Sequence, residues 1–127
     1  MRTGYVLILI GFVVNLDGVG EKDKVIITNS EPLAGVSHDK VMNDQLMSAA
    51  KDLGIPTRFG PLPFGATDAS RFSKMKIKAT NINAFDLGAH LPFYYHNRDD
   101  TPDVVETEAL GQVFDIVVEF INRLDEN

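Results

Sequence analysis

The chain has 127 residues, 44% apolar and 24% charged, with a net charge of −6; that length builds one domain with its own core, spanning residues 1–127, rather than two. Eighteen acidic residues against 12 basic ones, with no basic stripe, argue against a nucleic-acid or anionic-membrane partner. The lack of cysteine excludes disulfide scaffolds, thiolate metal sites and cysteine nucleophiles.

Arg2 and the apolar run over residues 5–14 imitate an export signal, but Asn15-Leu16-Asp17-Gly18 follows without a small-x-small cleavage pattern. A membrane-crossing helix takes ~20 apolar residues, which the run does not supply. Its β-branched and aromatic content predicts one strand buried on both faces, and a soluble, cytoplasmic chain is the default expectation. Residues 17–24 form a polar turn, residues 25–28 a second strand and residues 29–35 a loop. Ser37 is positioned to cap a helix over residues 38–53 that buries Met42, Leu46, Ala50 and Leu53, with Gly54 and Pro56 ending it. Residues 57–59 suit a short strand, and Gly60-Pro61-Leu62-Pro63-Phe64-Gly65 an irregular loop of the kind that often lines sites. Thr67 or Asp68 caps a short helix to about residue 75, and residues 79–85 make the next strand. After a long loop, a helix start at Thr101-Pro102 leads into an amphipathic pattern of Leu110, Val113, Phe114, Val117, Ile121 and Leu124. Alternating strands and helices predict an α/β layered sheet.

Three places carry candidate chemistry. Asp17 follows the first strand, where functional groups of parallel α/β sheets gather, although turn aspartates are common enough to make a purely structural role equally reasonable. Asp68 stands at a helix N-terminus, where capping is the simpler role. His96 lies four residues before Asp100, a carboxylate able to orient an imidazole for a metal, and Tyr94 and Tyr95 precede it. His38 and His90 show no comparable carboxylate setting. There is no Gly-x-Ser-x-Gly elbow, phosphate-cradling glycine loop or His-Glu-x-x-His helix.

Taken in order, Val14-Asn15-Leu16-Asp17-Gly18-Val19-Gly20, Gly65-Ala66-Thr67-Asp68-Ala69-Ser70-Arg71-Phe72 and His96-Asn97-Arg98-Asp99-Asp100-Thr101-Pro102-Asp103 resemble the second half of the co-catalytic zinc aminopeptidases, metallopeptidase family twenty-eight. The resemblance runs from about residue 12 to residue 124. It implies a mixed, mostly parallel sheet covered by helices, two zinc ions in the complete site, and hydrolysis of N-terminal peptide bonds in a peptide substrate. Asp17 then matches a ligand of one zinc and His96 a ligand of the other. Thr67, Asp68 and Tyr95 fall beside the substrate pocket, and Asp100 supports His96 from behind. The family's upstream His-x-Asp, bridging aspartate and Glu-Glu pair have no counterpart before Asp17, so no catalytic residue is assigned. The expectation is a C-terminal portion without appreciable activity, prone to self-association through an exposed sheet edge; the alternative is a catalytically silent relative used for protein binding or assembly.

Overall fold

A computed structural model describes residues 4–9, 11–63, 65–85 and 106–125. The N-terminal apolar run is two strands rather than the single strand expected. β1 (Gly4–Leu9) and β2 (Phe12–Val19) pair antiparallel, with Leu9 opposite Phe12. The break falls at Gly11, whose φ of +82° suits a tight reversal that side-chain-bearing residues resist. Hydrophobicity alone does not reveal it, because both arms are apolar.

β3 (Val25–Glu31) is longer than the four residues expected, and a short turn leads from it into the two-residue β4 (Val36–Ser37). Residues expected as loop are therefore partly a hairpin, with Glu31 opposite Val36. α1 (Lys40–Asp52) starts later than expected, because Asp39 rather than Ser37 is its cap and accepts the Met42 amide at 2.9 Å. β5 (Thr57–Pro61), α2 (Asp68–Lys74) and β6 (Lys78–Ala84) follow where the pattern placed them. The described part of the final helix, α3, spans Thr107–Asp125; the start expected at Thr101 lies outside the described residues.

The strands form one sheet in the order β1-β2-β6-β3-β4, with β5 also paired to β3. β2 runs parallel to β6, and β3 parallel to β5, while β3 and β6 are antiparallel. The sheet is mixed and flanked by helices as expected, but among the described strands two pairings are parallel and three antiparallel rather than mostly parallel.

α1 and α3 pack together on one face. Val14, Val25, Ile27 and Ile82 from the sheet meet Met42, Leu46 and Ala50 of α1 and Ala109, Val113, Ile116, Val117 and Phe120 of α3. Phe12 meets Phe120 edge-on at 6.3 Å, a contact adding about 1 kcal/mol beyond its buried area. Three residues depart from the expected faces. Leu53, past the end of α1, is exposed, and Ala49 is buried in the helix instead. On α3, Leu110 and Phe114 are exposed, because the contact stripe is centred on Val113, Ile116 and Phe120, turned away from them. α2 covers the opposite face through Ala69 and Phe72, which pack on Val13 and Ala79.

Candidate functional site

Asp17 lies within β2 rather than after it. β2 bulges against β6 between Leu16 and Val19, so two residues, Asp17 and Gly18, occupy the space of one. Gly18 has φ of +69°, and a Cβ added there would stand 2.6 Å from the Phe85 ring. Glycine is thus demanded twice over, by backbone and by contact. Asp17 is half-buried at this bend. Just below it along the sheet, Asn15 donates to Asn81 at 2.9 Å, and Asn81 donates to the Thr28 hydroxyl at 3.1 Å. These side chains are buried, yet among the described residues the Asn15 side-chain oxygen and both amide atoms of Asn83 have no hydrogen-bond partner. An open cleft of about 320 Å³ lies at the same end, lined by Asp23, Lys24, Val25, Ile26, Arg58 and Phe85 among others.

The other end of the sheet holds a closed network that sequence reasoning missed. Glu31 ends β3 and is fully buried. Its Oε2 meets His38 Nε2 at 2.5 Å and accepts the Thr67 hydroxyl at 2.6 Å, while its Oε1 accepts the Thr67 amide at 2.6 Å. His38 Nδ1 lies 2.7 Å from the Ser73 hydroxyl on α2. Burial pushes the Glu31 carboxyl up, but the hydrogen bonds from His38 and Thr67 and the His38 charge outweigh it and hold Glu31 below the ordinary carboxylate range. An ionised Glu31 accepts from every neighbour. His38 therefore carries a proton on Nε2. The carboxylate that gives His38 its setting is seven residues upstream, a spacing made close only by the β3–β4 hairpin.

These placements divide the residues singled out from the sequence. Leu16 pairs with Ile82, which also faces Ile27, so Asp17 sits about level with Ile26. Glu31 is five positions further along β3, about 16 Å at ~3.3 Å per residue. Thr67 is bound to Glu31, and Asp68 follows it, exposed at the first turn of α2. The structure thus brings Thr67 and Asp68 together with His38 and Ser73 rather than with Asp17. Tyr95, His96 and Asp100 lie outside the described residues. Among the described residues, no three His, Cys, Asp or Glu side chains gather to hold a metal ion. A catalytic zinc takes three protein ligands, so the described donors alone do not fit one, and no chemical step is derived through it.

A family model, peptidase family M28, matches residues 7–121. The chain belongs to peptidase family M28. Among solved structures, this M28 chain is similar to the LapA aminopeptidase of Legionella pneumophila, with 17% identity, a TM-score of 0.68, and coverage of 86% of this chain and 30% of that one. It is similar also to BSAP, a zinc aminopeptidase of Bacillus subtilis, in two structures: 19% and 20% identity, TM-scores of 0.69, and coverage of 87% of this chain and 27% of each. The M28 chain therefore spans less than a third of the length of these structures. No curated protein matches it.

Proposed function

We propose that this M28 chain is part of a zinc-dependent aminopeptidase, in which it supplies Asp17 to one zinc and His96 to the other for hydrolysis of N-terminal peptide bonds. The observation that carries the reading is the family match over residues 7–121, supported by the presentation of Asp17 at a glycine-permitted bulge. Bulges of this kind re-aim a side chain beside active sites. Asp100 would hold the His96 ring in one orientation, and Tyr95 would flank the peptide.

By itself, the 127-residue chain is proposed to lack appreciable turnover. It contains neither a Glu-Glu pair nor a His-x-Asp sequence, so the family's general base and most of its zinc ligands would have to come from elsewhere. A general base must reach the proton it removes. The test is hydrolysis of aminoacyl-nitroanilides by zinc-loaded, monodisperse chain. Background rates are expected in both the parent sequence and His96→Ala; turnover abolished by that substitution would overturn the proposed inactivity.

A second reading, a catalytically silent relative used for binding or assembly, is favoured by a different observation. Phe114 is 65% exposed and Leu110 41% exposed on α3, and among the described residues β1 pairs only with β2. An open strand edge and exposed apolar side chains each invite a second chain. Light scattering is expected to show a homo-oligomer in that case, and a monomer at high concentration would remove it.

A further inference from the structure

The Glu31 network changes what Thr67 can do. All three of its polar groups are committed inside the protein. Its amide and hydroxyl both donate to Glu31 at 2.6 Å. Its carbonyl accepts the Ser70 amide at 3.1 Å and the Ser70 hydroxyl at 2.7 Å. Thr67 occupies the N-cap position of α2, yet its side chain caps nothing, because the hydroxyl is drawn to the carboxylate instead. A buried side chain whose one O–H is already committed cannot donate to a substrate and makes a good anchor for backbone.

The backbone around it needs one. Gly65 takes a φ of +67° with nothing within 4 Å of where a Cβ would stand. Gly65, Ala66 and Asp68 are all exposed. α2 has only seven residues, too few to hold its own first turn firmly. Glu31 is the fixed point, because it ends a strand paired with β4. His38 fixes Glu31 in turn, and Ser73 on α2 closes the circuit through Nδ1.

We propose that Glu31, oriented by His38, is the positioning residue for residues 65–68, and that Thr67 is the anchor through which it acts rather than a contact for substrate. The assignment of these residues to a peptide-binding surface rests on the aminopeptidase reading; the anchoring itself does not. Charge-assisted bonds to a buried carboxylate are the stronger kind, and removing an acceptor exposes the donors left behind. Local opening of this segment is therefore controlled by one side chain.

Amide hydrogen exchange followed by NMR on the 127-residue chain tests the proposal. In Glu31→Gln, the acceleration at the Thr67 amide is expected to exceed by about tenfold or more any acceleration at the Leu46 and Ala50 amides of α1, which report global opening. Thr67→Val, which removes only the hydroxyl, should accelerate the same amides, and the double variant should add little, because both changes cut one linkage. His38→Gln can still donate to Glu31 and should preserve protection at Thr67, whereas His38→Phe should lose it. Unchanged Thr67 exchange in Glu31→Gln, or fully additive effects in the double variant, would overturn the anchor. If Glu31→Gln does not fold, the Thr67→Val and His38 pair still decides. A separate titration with the dipeptide Leu-Gly reads the binding surface: shifts at Gly65, Ala66 and Asp68 support the peptide reading, and their absence removes that reading while exchange alone judges the anchor.

Discussion

Asp17 and Glu31 are both carboxylates, on strands that flank β6, and their surroundings are opposite. Glu31 is fully buried with three donors converging on its two oxygens. Asp17 is half-buried on a bulge, above a row of buried amides of which Asn83, among the described residues, is unpartnered at both polar atoms. Folding stability favours the first arrangement, since each polar group is satisfied. A site that must receive something from outside favours the second. Unsatisfied buried groups are uncommon in proteins and call for a reason. The contrast teaches that, in this fold, the closed acidic network is the one that holds the chain together, whereas the end with buried unpartnered amides is the one proposed to supply a zinc ligand.

The largest effect that separates the two ends is loss of the carboxylate itself. Glu31→Ala leaves the Thr67 amide, the Thr67 hydroxyl and His38 buried without their acceptor, and is expected to cost about 3–5 kcal/mol. Asp17→Asn keeps the shape at a half-exposed position and should cost less than about 1 kcal/mol. Denaturant unfolding of both variants measures the difference, and comparable losses would erase it. Acid sharpens the same point. Glu31 titrates lower in the folded chain than the ordinary glutamate value of 4.5, so its contribution is fully present above that pH and is lost as pH falls through the folded value. The stability gap between the parent chain and Glu31→Gln should therefore narrow below pH 4.5, and a gap that widened on acidification would contradict the assignment.

Next in size is Gly18→Ala. A side chain there must accept a φ of +69° and displace the buried Phe85 ring from 2.6 Å. The backbone alone costs roughly 1 kcal/mol, and moving a packed ring brings the total to about 2–4 kcal/mol. Gly11 and Gly65 have the same sign of φ but open space where a Cβ would go, so alanine there should cost only about 1 kcal/mol. Thermal unfolding of the three variants in parallel is the measurement. Equal shifts would mean that the bulge carries no special constraint.

Much of this was legible in the sequence, and the exceptions share a cause. Helix and strand positions follow from local periodicity, as α1 and α3 show, because a buried stripe repeats within one element. The Asn-Leu-Asp and Gly-Ala-Thr-Asp segments were visible as motifs because their residues are contiguous. Two kinds of information were not local. The break at Gly11 separates two arms of equal hydrophobicity, and only the register of β1 against β2 shows that they pair with each other. His38 looked unsupported because its partners are Glu31, seven residues back, and Ser73, 35 residues ahead. Spacing along the chain says nothing about a contact made by a hairpin and a helix crossing the sheet. Nor does order in the sequence tell which end of a strand each residue reaches, so the bonds from Thr67 to Glu31 were not legible either.

The smallest expected effect tests whether the Asp17 end is truly incomplete. Asn83 is 1% exposed, and among the described residues neither its Nδ2 nor its Oδ1 has a partner. Asn81, two residues earlier, receives a bond from Asn15 and gives one to Thr28. Leucine is close to asparagine in size, so Asn83→Leu removes an uncompensated desolvation cost without opening a cavity. It should leave stability within about 1 kcal/mol of the parent chain, or raise it. Asn81→Leu breaks two bonds and strands the Asn15 amide, and should cost about 2–3 kcal/mol. If Asn83→Leu proved as damaging as Asn81→Leu, the Asn83 amide would have a partner in the folded chain, and the two ends of the sheet would differ in position but not in kind.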